Sequence, residues 1–158
     1  MFLKIKYLKL MGLIMIYISK SINDTSNIAD KFAAGIVSGD VICLYGDLGV
    51  GKTVFVQALA KRLGVGEYVS SPTFNIVNEY NGKNFTVYHF DAYRIEDYEQ
   101  IFDVGYDEYV YSDAVSIIEW ANNIEPVLPQ NRYDVFISKD ISQGEDYRKI
   151  VIEKRGDK

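Results

Sequence analysis

"VICLYGDLGVGKTVF", residues 41–55, runs from five apolar positions, through a loop of three glycines, a lysine and a threonine, into a segment with helical periodicity. An unbroken apolar run of this length predicts a strand buried on both faces of a sheet that helices cover. From Lys52 to Leu63, the residues Phe55, Ala58, Leu59 and Leu63 recur at helical spacing, and Gly64 closes the pattern. The loop therefore joins the end of a buried strand to a helix N-terminus. Gly46 to Thr53 fits G-x-x-x-x-G-K-[ST]. Its glycines let the backbone wrap closely with N–H groups turned inward, and the helix adds its own unpaired N–H groups and positive dipole end. A polyphosphate fits such a nest. On that reading Gly46, Asp47, Leu48, Gly49, Val50, Gly51, Lys52, Thr53 and Val54 surround the phosphates of a nucleotide. Lys52 reaches the β- and γ-phosphates as a point charge, and the Thr53 hydroxyl ligates magnesium.

Upstream, "LIMIYISK" reads as a first strand. Asp24 or Thr25 then caps a helix whose positions Ile28, Phe32 and Ile36 share one face, with Gly39 as its end. Downstream, "TFNIVNEY" and "NFTVYHFDAY" flank Asn81-Gly82, a pair that predicts a two-residue hairpin turn. Residues 95–113 hold seven acidic residues and no basic one, which predicts short helices broken near Gly105, with Tyr98, Ile101, Phe102, Tyr109 and Val110 as candidate buried positions. "AVSIIEW" reads as another buried strand, and "RYDVFIS" with "YRKIVIEK" as a closing antiparallel pair. The expected architecture is α/β: a P-loop NTPase-like three-layer sandwich with a mixed, mostly parallel central sheet and a C-terminal antiparallel strand pair.

The 158 residues are 48% hydrophobic, enough for one core, and carry a net charge of −5. No repeat or Pro/Gly/Ser linker divides them. The expected organisation is a single domain over residues 17–155, with 1–16 as an N-terminal extension whose true start lies near Met11 or Met15. The acidic balance argues against direct electrostatic binding of nucleic acid. The N-terminal apolar run is too short to span a bilayer and lacks a signal-peptidase site. One cysteine, Cys43, cannot form an internal disulfide, which fits a reducing, cytoplasmic location.

Hydrolysis needs carboxylates at strand ends close to the loop. Glu119 ends the apolar run of "AVSIIEW" and can complete a magnesium shell beside Thr53. Asp91 ends "TVYHFD", with His89 on the same face by the period of two. Each carboxylate alone is also what an ordinary strand end carries, and a lone histidine is more often a packed structural residue. Arg94 either faces a γ-phosphate or pairs with the acidic segment after it.

The order "GDLGVGKT", "SPTFNIVNEY", "YHFDAYR", "IIEW" closely resembles the TsaE (YjeE) family of ATPases in bacterial tRNA threonylcarbamoyladenosine biosynthesis. The resemblance runs from about Ile18 to Ile152. It implies catalytic roles for Lys52, Asp91 and Glu119, magnesium at Thr53 and Glu119, and a nucleotide-sensing switch over Ser71, Pro72 and Thr73. It also implies ATP and Mg2+ as cofactors, and TsaB and TsaD as protein partners through which tRNA is met only indirectly. Val54 departs from the family, where a second threonine is frequent, and Ala92 stands where a leucine is frequent. The competing reading is a P-loop small-molecule or nucleoside kinase. Such kinases bring several arginines to the transferred phosphate, and only Arg62 and Arg94 lie between Thr53 and Gln130. No N-K-x-D segment supports a GTPase.

Overall fold

The computed structural model describes residues 5–9, 12–72 and 74–156, with side chains from residue 13 onward. In chain order the elements are β1 (Ile5–Lys9), β2 (Gly12–Ser19), α1 (Ile22–Ala33), β3 (Val41–Tyr45), α2 (Lys52–Arg62), β4 (Val77–Asn81) and β5 (Thr86–Asp91). They continue as α3 (Tyr106–Val110), β6 (Val115–Glu119), β7 (Arg132–Lys139) and β8 (Arg148–Arg155). Short 3-10 helices cover Tyr98–Val104, Ala121–Val127 and Ile141–Gln143. Strands β1 and most of β2 fall within residues 1–16.

Among the described residues the strands form one sheet in the order β1-β2-β8-β7-β3-β6-β5-β4. The sheet is mixed, as expected, and β7 and β8 close it as an antiparallel pair. It is not mostly parallel: β7-β3, β3-β6 and β6-β5 are the parallel pairings, and the other four are antiparallel. The reason lies in the connections. Residues 140–147 are too few to carry a crossover, so β8 can only return beside β7 in the opposite direction, and β2 and β1 extend that meander.

Both faces of the sheet are packed. On one, Ile42, Leu44, Ile117 and Val135 meet Ile28 and Phe32 of α1 and Phe55 and Leu59 of α2. On the other, Cys43, Phe90 and Ile118 meet Ile101, Tyr106 and Ile124. Fully burying one such side chain contributes about 1.5–3 kcal/mol, so the all-apolar reading of "VICLY" is accounted for by two layers of contact. Tyr106 is fully buried, whereas Tyr98 and Phe102, two expected core positions of the acidic segment, are exposed. Gly105, at φ 80°, separates Tyr98–Val104 from α3 as the break required.

Three local expectations are corrected. The N-cap of α1 is Ser21, whose Oγ accepts from the Asp24 N–H at 3.0 Å, while Thr25 is buried with its hydroxyl 2.8 Å from Ser19 Oγ. The helix ends at Ala33, because the N–H groups of Gly35 and Ile36 bond three residues back and tighten the turn; Gly39 instead supplies the positive φ of the bend into β3. Asn81-Gly82 is not a two-residue turn. Asn81 pairs with Thr86, leaving a four-residue connection, and Gly82 has no positive φ. The glycine is needed for proximity: a Cβ there would lie 2.6 Å from the Leu63 carbonyl oxygen at the end of α2.

Candidate functional site

The site is assembled by strand register. Leu44 pairs with Glu119, and Glu119 pairs with Asp91, so three parallel neighbours end together and place both carboxylates on the face covered by α2. The glycine loop leaves β3 at the same edge. Gly46 has φ 152° and passes so close to Ile137 that a Cβ would sit 2.5 Å from its carbonyl oxygen. Gly51, at φ 108°, turns the chain into α2.

A cleft of about 370 Å³ opens there, bordered by Leu48, Gly49, Gly51, Lys52, Thr53, Val54, Ser71, Asp91, Tyr93, Glu119 and Trp120. It therefore gathers Lys52, Thr53, Asp91 and Glu119, residues scattered over 68 positions of sequence. Gly46, Asp47 and Val50 stand behind it, Val50 buried in the core and the other two presenting carbonyls. Pro72 and Arg94 border an adjoining hollow of about 190 Å³ that shares Ser71, Asp91 and Tyr93. Thr73 lies outside the described residues. A larger hollow of about 440 Å³, lined by Met15, Tyr17, Ile28, Phe32 and Tyr133, contains neither carboxylate nor glycine loop and is set aside as the reaction site.

Lys52 is buried, and its ammonium donates to the Gly46 carbonyl and, at 2.9 Å, to that of Asp47. The same ammonium lies 4.1 Å from the centre of the Trp120 ring, a cation–π contact. Burial lowers the pKa of Lys52, against the raising charges of Glu119, Asp47 and Asp91. Trp120 has φ 56°, the one non-glycine residue in the left-handed region among those described, and its ring packs against Tyr93 at 4.9 Å.

Glu119 is 3% exposed. Its Oε2 accepts from Ser71 Oγ at 2.8 Å and from His89 Nε2 at 2.9 Å. Burial pushes its pKa up, but the hydrogen bond and charge of His89, the Ser71 hydroxyl and Lys52 outweigh it and hold the carboxylate below its ordinary range. Asp91 goes the other way. Burial raises its pKa and Glu119 adds to the rise, although the Tyr93 N–H bonds its Oδ1 at 2.9 Å. Two carboxylates side by side thus differ in proton affinity, the arrangement that divides ligand and base roles. His89 Nδ1 is buried without a hydrogen-bond partner among the described residues.

His89 emerges as a direct partner of Glu119, where sequence reasoning treated it as structural. The signal was its alternation with Asp91, which places both on one face. The contact of Trp120 with Lys52 had no spacing signal, because it joins a helix start to a strand end 68 residues away.

The family model for "Threonylcarbamoyl adenosine biosynthesis protein TsaE" matches residues 19–150. Among curated proteins, the tRNA threonylcarbamoyladenosine biosynthesis protein TsaE of Bacillus subtilis is 44% identical over 128 residues, covering 81% of this chain and 78% of its own. The protein of the same name from Treponema pallidum is 40% identical over 121 residues, covering 77% and 87%. Among solved structures, Bacillus subtilis YdiB superposes with a TM-score of 0.76 at 34% identity, over 94% of this chain and 90% of that one. With a matching family model over most of its length and relatives at 44% and 40% identity, the chain belongs to the TsaE family.

Proposed function

We propose that this protein is a P-loop, magnesium-dependent ATPase that acts with TsaB and TsaD in threonylcarbamoyladenosine modification of tRNA, contacting tRNA only through those partners. The observation that carries the reading is the convergence of Lys52, Thr53, Asp91 and Glu119 on one cleft beside the glycine loop. The relatives' names carry the pathway. A cytoplasmic site of action accords with one buried, unbridged cysteine, and no helix among the described residues is long and apolar enough to cross a membrane.

The donor set fits magnesium that arrives with a nucleotide. Among the described residues no group of three or more His, Cys, Asp or Glu side chains could hold a metal alone. One hydroxyl, Thr53, and one buried carboxylate, Glu119, are oxygen donors that would hold a magnesium ion arriving with the phosphates. When bound, magnesium would supply charge neutralisation on the phosphates. The loop N–H groups and α2 would bind and orient the phosphates, and Lys52 would exchange its loop carbonyls for them. His89 and Ser71 hold Glu119 by one oxygen, so its orientation is set before any ligand enters. Asp91, with its raised proton affinity, would orient a water and take its proton. Trp120 and Tyr93 line one side of the same cleft.

The test is reconstitution. Purified TsaB, TsaD, tRNA and ATP should give repeated modification only when this protein is present, and Lys52→Ala should remove both its hydrolysis and its effect. Modification that proceeds equally without the protein would sink the reading.

A further inference from the structure

Arg148 begins β8, yet its side chain reaches the glycine loop 98 residues earlier. Its Nε donates to the Val50 carbonyl at 2.8 Å, and its Nη1 donates to the carbonyls of Glu145 and Tyr147 at 2.7 and 2.8 Å. Nothing in the proposed chemistry uses it. Its significance follows from peptide geometry: the Val50 carbonyl and the Gly51 N–H belong to one planar trans unit and point in opposite directions. Holding the carbonyl toward β8 therefore fixes the Gly51 N–H away from β8. Val50 and Gly51 both border the small hollow on the Arg148 side, whereas only Gly51 also borders the cleft beside Lys52 and Thr53.

The rest of the unit supports the same orientation. The Val50 N–H bonds the Asp47 carbonyl at 3.2 Å, and the Val50 side chain is buried. Gly51 is flexible by type, at φ 108°, so without a tether its peptide can rotate at little cost. A charged donor on the carbonyl also polarises the peptide, making the N–H at its other end a better donor.

We propose that Arg148 is a positioning residue that aims the Gly51 N–H at the bound phosphates from outside the cleft. The inference rests on the triphosphate reading of that cleft. Two substitutions of matched length separate the role from packing. Arg148→Gln keeps an N–H donor where Nε stands, whereas Arg148→Met puts a methyl group there; both lose the Nη1 bonds. With the non-hydrolysable analogue AMP-PNP and magnesium, Arg148→Met should bind about tenfold more weakly, the size of one hydrogen bond to a charged group. Arg148→Gln should recover most of that loss. The Gly51 amide signal should shift strongly on AMP-PNP addition in the unaltered protein and in Arg148→Gln, and weakly in Arg148→Met.

Equal affinities for the Met and Gln variants, or an Arg148→Met variant that binds like the unaltered protein, would overturn the proposal. If Arg148→Met does not fold, the unaltered protein still decides. The scalar coupling across the Arg148 Nε–H···O=C Val50 bond must persist with AMP-PNP bound, and its disappearance overturns the role. Lys52→Ala keeps the two failures apart. If the unaltered protein fails to bind AMP-PNP, the triphosphate reading falls; if Lys52→Ala loses binding while Arg148→Met keeps it, only the positioning role falls.

Discussion

Two buried acids stand on neighbouring parts of the same sheet and serve opposite ends. Asp134, early in β7, is fully buried, and both of its oxygens are engaged by cations: Arg132 Nε at 2.8 Å on Oδ1 and Arg155 Nε on Oδ2, with the Tyr45 hydroxyl also on Oδ1 at 3.3 Å. Glu119, at the end of β6, is nearly as buried, but an imidazole and a hydroxyl share its Oε2, and among the described residues no donor reaches Oε1. The first carboxylate is compensated within the fold and ties β7 to β8. The second lines the cleft and leaves Oε1 without a donor among the described residues, which under the proposed function is where a cation from outside would meet it. Burial of an acid is therefore not what marks the site; incomplete compensation is.

The strongest way to break this contrast is Glu119→Gln. The amide keeps the shape and an oxygen for Ser71 and His89 but removes the charge, so turnover should fall about 10³-fold, the scale of a lost electrostatic group in an active site. Urea unfolding should shift little. A variant with normal turnover would remove Glu119 from the chemistry.

Asp134→Asn should do the reverse. It leaves Arg132 without its counter-charge and Arg155 with only Glu153, 3.8 Å away, and should cost about 3 kcal/mol, the lower end for a broken buried pair because Arg155 is half exposed. Turnover measured well below the melting temperature should hold, and a large loss there would show that the two acids are not functionally separate.

His89 sharpens the comparison at smaller scale. His89→Ala should lower turnover by about 10–100-fold, as for partners that orient a metal-associated residue, and His89→Gln, which places a donor near Nε2, should restore most of it. No difference between the two variants would mean that the Nε2 bond has no orienting role.

The smallest effect is thermodynamic. Because the folded state raises the pKa of Asp91, ionised Asp91 opposes folding once the pH exceeds its unfolded value of about 3.9. Asp91→Asn should therefore raise the melting temperature slightly at pH 7, and the gain should vanish below about pH 4, where both states of the carboxyl are protonated. Glu119 has the opposite sign: its stabilising share is present above about pH 4.3 and fades as the pH falls. A thermal-shift series across pH 3–8 reads both.

Much of this was legible because the decisive signals are local. The buried strand, the loop glycines and the helix after them are adjacent in sequence, and the two strand-end acids announce themselves by where their apolar runs stop. The antiparallel return of β8 was legible from its short link to β7, but the edge beyond it was not: β2 and β1 join β8 from the other end of the chain, a pairing that no local signal encodes. Asn81-Gly82 misled for a different reason: its glycine answers to the end of α2 in space rather than to a local turn. The roles of His89 and Arg148 depend on partners 30 and 98 residues away, which no periodicity encodes.

The resting position of Lys52 bears on how nucleotide affinity is to be measured. Its ammonium already has two carbonyl acceptors and an aromatic face, so an incoming phosphate replaces contacts rather than filling an unmet need. The affinity that this lysine confers is a difference between two solvated, well-coordinated states. Lys52→Ala reports that difference and understates the direct attraction. Trp120→Ala, by removing one of the contacts that the resting ammonium holds, should then lower the cost of moving it to a phosphate.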